Sequence, residues 1–326
     1  MTIETNGYLE PGEAEKDRRI VSDVSPNLSY VSIFSYRVNP DGTLIPPRNE
    51  AALRTARKNN ARLMMVITNF TEGNFSPKVT RELFTRPGAR KRLIQNVLKV
   101  MRDKGFTALN VDFEHLYPED RERYNQFLRE IAPLLKREGY LLSTALAPKT
   151  SGTQTGAWYG GHDYAAHGKV ADFVILMTYE WGWSGGPPMA VAPIPQVRQV
   201  LDYAVSVIPR EKIMLGVPLY GYDWTLPYRK GGKFARKIDP VEAEQLALRH
   251  AAKVQYDETA QAPTFRYRDD KGKEHVVWYE NERSIQAKFD LVKQYRLRGV
   301  SYWVLGDRFP ENWQLLRAQF DIRKAG

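Results

Sequence analysis

The chain has 326 residues, 42% of them hydrophobic and 26% charged. These values exclude a disordered, collagenous or coiled-coil chain, and no apolar run approaches the ~20 residues of a membrane helix. There is no cysteine, which removes disulfides, thiolate zinc sites and cysteine nucleophiles, and the net charge of +10 allows an anionic partner. A basic solvated surface is the commoner meaning of such a charge. The length suits an α/β barrel of about 250 residues with one insertion. Met1 to Lys16 is acidic and polar, without the apolar stretch of a secretory signal.

Short apolar runs alternate with amphipathic stretches along the chain. The runs are Thr5–Leu9, Leu28–Val38, Arg62–Phe70, Ala108–Glu114, Leu141–Ala147, Asp172–Glu180, Lys212–Gly221 and Gly299–Leu305. All but the first are rich in branched and aromatic residues, as buried parallel strands are. Helices are predicted over 49–59, 87–104, 118–138, 195–207, 281–297 and 310–320. Pro87 and Pro118 start two of them, Gly105 ends one, and Pro133 should kink or break another. Eight strand–helix units predict a (β/α)8 TIM barrel, of class α/β, over residues 1–222 and 279–326.

Between 223 and 278 the alternation stops. Asp239-Pro240-Val241-Glu242 reads as an N-cap with proline at the first helical position. Thr264–Arg268 and Glu274–Tyr279 flank Asp269-Asp270-Lys271-Gly272 and read as a hairpin. A small α+β insertion domain after the seventh strand is therefore predicted.

The most informative run is Ala108-Leu109-Asn110-Val111-Asp112-Phe113-Glu114. Strand side chains alternate, so Leu109, Val111 and Phe113 face one way and Asn110, Asp112 and Glu114 the other. Two acids on an inner face cost free energy unless they find partners or serve a site. Their Cα atoms lie about 6.6 Å apart on strand geometry. Like charges that close push one pKa up and keep one acid protonated near neutral pH. Glu114 ends its strand, at the C-terminal mouth where barrel enzymes place their chemistry.

This run resembles the D-G-x-D-x-D-x-E signature of glycoside hydrolase family 18, the chitinase family. Thr107 and Ala108 replace the first two positions, and Asn110 replaces an aspartate. Met177-Thr178-Tyr179-Glu180, Gly216-Val217-Pro218-Leu219-Tyr220-Gly221 and Tyr302-Trp303 resemble three further family segments in the right order. Thr5–Leu9, Gly221–Pro227 and Gln255–Thr259 are similar to the spore cortex-lytic branch, which are N-acetylglucosaminidases of spore peptidoglycan. Members often carry LysM repeats, and none stands in this sequence, so either they were trimmed or the chain belongs to a LysM-free group.

The resemblance implies a retaining hydrolase in which the substrate's acetamido oxygen is the nucleophile, an exception to the two-carboxylate rule. It implies Glu114 as general acid and base, Asp112 as the group holding the acetamide N–H, and Tyr179 as the group orienting its oxygen. Asn110 would tune Asp112, and Trp303 would stack under the pyranose. Tyr220, Met177, Tyr36, Asn69 and Trp181 are candidates for the cleft wall, with Trp183 and Trp224 beside them. The partner would be an N-acetylglucosamine-containing glycan, peptidoglycan or chitin, bound by a monomer without cofactor, metal, membrane or nucleic acid. The place would be the spore coat or cortex, otherwise the mother-cell cytoplasm.

Rival readings are weaker. Gly182-Trp183-Ser184-Gly185-Gly186 matches a serine nucleophile elbow, but Gly185-Gly186-Pro187-Pro188 forbids the helix that motif needs. The five histidines show no zinc spacing. A glycan-binding lectin on the same fold would typically lack the terminal glutamate. A nucleic-acid binder would need a basic aromatic groove, whereas the groove inferred is acidic.

Overall fold

The computed structural model describes residues 1–324. Eight parallel strands close into a barrel: β1 (Thr2–Leu9), β2 (Tyr30–Val38), β3 (Arg62–Thr68), β4 (Ala108–Asp112), β5 (Leu141–Leu146), β6 (Phe173–Leu176), β7 (Ile213–Pro218) and, after the insertion, the last strand Gly299–Trp303. The run that seemed weakest, β1, closes the barrel by pairing with both β2 and the last strand. Its side chains are buried from Ile3 onward, because a strand with neighbours on both sides needs apolar or satisfied residues throughout.

Helices cover the outside: α1 (Ala14–Val24), α2 (Glu50–Lys58), α3 (Pro77–Thr85), α4 (Ala89–Lys104), α5 (Arg121–Arg137), α6 (Tyr164–Val170) and α7 (Ile194–Val207). Three of these, α1, α3 and α6, escape the periodicity argument. In α1 only Asp17 and Val21 are buried, so no apolar stripe marks it. The helix α5 runs through Pro133 without a break. Pro133 is on the exposed side, where the carbonyl it leaves free is one turn back at exposed Arg129 and can be hydrated.

The two faces of the barrel wall carry separate cores. Leu109, Val111 and Phe113 join the large cluster under the helices. Tyr8, Tyr30, Met64, Val66, Ala108, Phe173, Ile175 and Met214 fill the interior. This is the alternation expected of strands buried on both faces.

After β7 the chain leaves the barrel. Strands β8 (Gly221–Thr225), β9 (Arg236–Ile238), β10 (Gln255–Asp257), β11 (Ala262–Arg268) and β12 (Glu274–Trp278) form an antiparallel sheet in the order β9-β8-β12-β11-β10. Helix α8 (Pro240–Arg249) packs on it through Ala243, Leu246 and Ala247, and Asp239 caps α8 by accepting from Glu242 N–H at 2.8 Å. The chain then re-enters through α9 (Glu282–Tyr295), β13 (Gly299–Trp303) and α10 (Pro310–Gln319).

Candidate active site

A cleft of about 720 Å³ opens at the C-terminal ends of the barrel strands. Asp112 and Glu114 lie in it, nearly buried. Glu114 stands two residues beyond the end of β4, where the strand pairing has stopped. Asn69 replaces that pairing: its side chain accepts from Glu114 N–H at 3.0 Å and donates to Glu114 C=O at 2.8 Å. His115 then turns the chain away in the left-handed region, with φ 57°.

The two carboxyl groups lie close enough for their ionisation to be coupled, and two like charges that near each other favour a proton on one of them. Burial pushes Glu114 well above the usual carboxylate range, with the Asp112 charge and hydrogen bond adding to it. Trp158 opposes this by donating its indole N–H to Glu114 Oε1 at 2.8 Å. Asp112 is also raised by burial but lowered by its bond from Glu114. Both shifts favour the protonated acid, and the push is stronger at Glu114. Asp112 Oδ1 is buried without a hydrogen-bond partner. An acceptor left unpaired beside the cleft is where a ligand N–H gains most.

Tyr179 lies beside the acids, its hydroxyl pushed up by burial and then by the Asp112 charge. Gly216 makes room for it. A Cβ there would sit 2.9 Å from the Tyr179 ring and 2.2 Å from the Leu176 carbonyl. Glu180 accepts from Tyr220 O–H at 2.9 Å and Tyr222 O–H at 3.0 Å. Lys237 reaches in from β9, over the Tyr220 ring at 5.1 Å, and pairs with Asp307 at 3.0 Å.

Aromatic rings line the cleft. Phe34 meets Trp303 edge-on at 5.0 Å, and Phe70 contacts both Phe34 and Phe75. Phe75 stacks on His115, which stacks on Trp158. Met177, Trp181 and Trp183 also line it.

Four expected residues sit elsewhere. Tyr36 is buried on the helix side against Phe106, its hydroxyl accepting from Asn49. The pairing of β2 with β3 shifts between Ile33 and Tyr36. The extra residue of a bulge inverts the alternation beyond it, so Tyr36 turns to the helix side while Phe34, in step with Tyr30, lines the cleft. Asn110 lies beneath the cleft, accepting from Tyr8 O–H at 2.8 Å and donating to Ser143 at 2.9 Å. Bonded on both sides, it makes no hydrogen bond to Asp112 and does not line the cleft. Asn69 holds the Glu114 backbone rather than lining the wall. Trp224 is buried too, donating to Gly186 C=O at 2.9 Å.

Trp158, Tyr8, Phe34, Phe70 and Phe75 were missed. Trp158 lies in the loop between β5 and α6, which has no periodicity to read. Phe70 and Phe75 flank Glu72-Gly73, whose positive φ angles make a two-residue hairpin turn, a signal that was there to use. Among the described residues no cluster of His, Asp and Glu could hold a metal ion.

Comparison with known proteins gives the family and the fold. Residues 7–307 match the model of Glycosyl hydrolases family 18. The cortical fragment-lytic enzyme of Bacillus subtilis is 50% identical over 325 residues, covering 99% of this chain and 75% of the relative. The spore cortex-lytic enzyme SleL of Bacillus megaterium superposes with a TM-score of 0.96 at 44% identity, covering 99% of this chain and 75% of that one. A chitinase from Chromobacterium violaceum superposes at 0.88 with 25% identity, covering 97% and 98%. With its closed barrel, its buried acid pair at the C-terminal mouth and a family match across nearly its whole length, this chain belongs to glycosyl hydrolase family 18 and is a glycoside hydrolase.

Proposed function

We propose that the protein cleaves β-1,4 bonds after N-acetylglucosamine in spore cortex peptidoglycan, by substrate-assisted catalysis with retention. The observation that carries this is the pair itself. Two buried acids line one cleft, Glu114 held by the Trp158 N–H and pushed towards its protonated form, Asp112 with an unpartnered oxygen.

In the first step the acetamido oxygen of the sugar forms a bond to its own C1 as the glycosidic C–O bond breaks. Glu114 gives its proton to the leaving oxygen. Asp112 accepts the acetamide N–H through Oδ1 and stabilises the positive charge that grows on the oxazolinium ring. Tyr179 donates to the acetamide oxygen and holds it near C1, so the internal nucleophile acts at a high effective concentration. Trp303 lies under the pyranose. In the second step the Glu114 carboxylate takes a proton from water, whose oxygen bonds C1 and releases the acetamide. No cofactor or metal enters the scheme, and the enzyme acts as a monomer.

The cortex as substrate and the spore as location rest on the cortical and cortex-lytic enzymes that this chain resembles. A chitooligosaccharide is the second reading, supported by the aromatic wall and by similarity to a chitinase. A binding-only lectin would not require a buried glutamate whose carboxylate and backbone are held by Trp158 and Asn69.

The test is digestion of cortex peptidoglycan, vegetative peptidoglycan and N-acetylglucosamine oligomers, with mass analysis of the new reducing ends. N-acetylglucosamine reducing ends from cortex are expected, and muramic reducing ends overturn the reading. Glu114→Gln should lower kcat by roughly 10²–10⁴-fold with KM little changed. Undiminished hydrolysis by that variant would remove Glu114 from its role.

A further inference from the structure

The cleft continues past the acids to a rim that the proposed chemistry does not use. Trp183 lines the cleft and remains 46% exposed, and Phe234 beside it is 65% exposed, their ring centroids 6.3 Å apart. An exposed tryptophan next to an exposed phenylalanine loses solvation free energy that a stacked ligand would recover.

Trp183 is held in place. Its ring packs on Gly185 and Gly186, where an added Cβ would come within 2.4 Å and 2.5 Å of it. The turn carrying it is fastened from the insertion by Ala235 N–H to Ser184 C=O at 2.7 Å, Tyr228 O–H to Gly185 C=O at 3.3 Å and Trp224 N–H to Gly186 C=O at 2.9 Å. The near-match to a serine elbow at 182–186 thus has a different physical basis. Its glycines clear space for an indole.

The segment that supplies Phe234 is basic. Arg229, Lys230 and Lys233 are exposed and make no ion pair among the described residues. Their neighbours Arg236 and Lys237 are both engaged, with Glu242 and Asp307. Three unspent cations beside a fixed aromatic platform fit a sugar that carries carboxylates and give a neutral sugar no charge to meet. The acids at the cleft centre leave the rim as the place where an anionic group would be accepted.

We propose that Trp183, Phe234 and the cations Arg229, Lys230 and Lys233 form a distal subsite that takes a carboxylate-bearing sugar of the glycan chain. The ring stacks on the aromatic pair, and the carboxylates of its lactyl or peptide substituent meet the basic turn. This rests on the glycan-cleaving function proposed above and adds which glycans the cleft prefers.

The experiment compares the full chain with the triple variant Arg229→Gln/Lys230→Gln/Lys233→Gln. Three soluble probes are used: peptide-bearing peptidoglycan fragments, the same fragments with peptides removed so that lactyl carboxylates remain, and neutral N-acetylglucosamine oligomers. The ratio of kcat/KM on peptide-bearing fragments to that on neutral oligomers should fall about tenfold in the variant, through KM. The salt sensitivity of the unaltered enzyme on the anionic fragments should fall with it. If peptide-free fragments follow the peptide-bearing ones, the lactyl carboxylate is read; if they follow the neutral oligomers, the peptide is. An unchanged ratio, or an equal loss on both substrates, overturns the proposal. Calorimetric binding of the same fragments to Glu114→Gln, with and without the triple change, reads the subsite without turnover. It separates failure of the subsite from failure of the proposed reaction.

Discussion

Glu114 is held by Asn69 on its backbone and Trp158 on Oε1, with Asp112 and Tyr179 beside it in the cleft. Tyr8 also lines the cleft, its hydroxyl pushed up mainly by burial and then by the Asp112 charge. Among these groups, Trp158 is the one whose removal gives a clear sign. Its N–H stabilises the carboxylate form and so lowers the Glu114 pKa. Trp158→Phe removes that donor, so the Glu114 pKa rises. The general acid must be protonated at the start of the reaction, so the alkaline limb of the kcat/KM profile moves to higher pH. The rate at the optimum falls, because the donor is then a weaker and less well-oriented acid. A pH–rate series on both proteins checks this, and an alkaline limb that moves down or stays fixed contradicts the role. Sequence pattern found Asp112 and Glu114 because two acids on a buried face are costly and so conspicuous. It could not find Trp158, because a tryptophan in an irregular loop carries no spacing that reveals where its N–H points.

At the scale of elements, the catalytic strand ends before its catalytic residue. β4 pairs with β3 through Asp112, and the Asn69 side chain then takes over the backbone hydrogen bonds at Glu114. Asn69→Ala should leave those two backbone groups unpaired in a buried place, at a cost of about 1–3 kcal/mol. We expect kcat to drop about tenfold or more with KM nearly unchanged, together with a lower Tm. Steady-state kinetics and thermal unfolding measure both, and a loss in Tm without a loss in kcat would make Asn69 a purely structural residue. The strand runs and most helices were legible because apolar period and caps are local properties. The bulge in β2 was not. It depends on how β2 registers against β3, and it turned Tyr36 out of the cleft.

For the whole molecule, closure matters most. The first strand lies between the last strand and β2, and its seam is fastened at the end remote from the cleft. Glu4 accepts from Arg298 at 2.6 Å and from Tyr30 O–H at 3.1 Å, while the Arg298 guanidinium lies 4.6 Å over the Phe173 ring. Glu4 is nearly buried and Arg298 about one-fifth exposed, so solvent screens the pair only in part. Glu4→Ala should cost about 1–3 kcal/mol, less than a fully buried pair. It should lower Tm by several degrees and leave kcat/KM intact. Calorimetry with a parallel assay checks this, and a large loss of activity in a folded variant would mean that the two ends of the barrel are coupled.

The net charge of +10 also reads differently at this scale. Residues 81–104 hold 8 basic and 2 acidic side chains, and they form the end of α3 and the whole of α4, outside the barrel. Much of the excess is therefore a solvated helix face. The cations that matter to the cleft are the few on the insertion turn at Arg229, Lys230 and Lys233. The sequence by itself determined the eight strands, the insertion's helix and hairpin, and the acid pair. Each of these follows from short-range periodicity, turn chemistry or the cost of burying charge. Only the tertiary structure decided which aromatic rings meet in the cleft, that Asn69 and Trp158 hold Glu114, and that Gly185 and Gly186 support Trp183. Those contacts join residues far apart in the chain, and their geometry is set by strand register and loop packing, which no local pattern encodes.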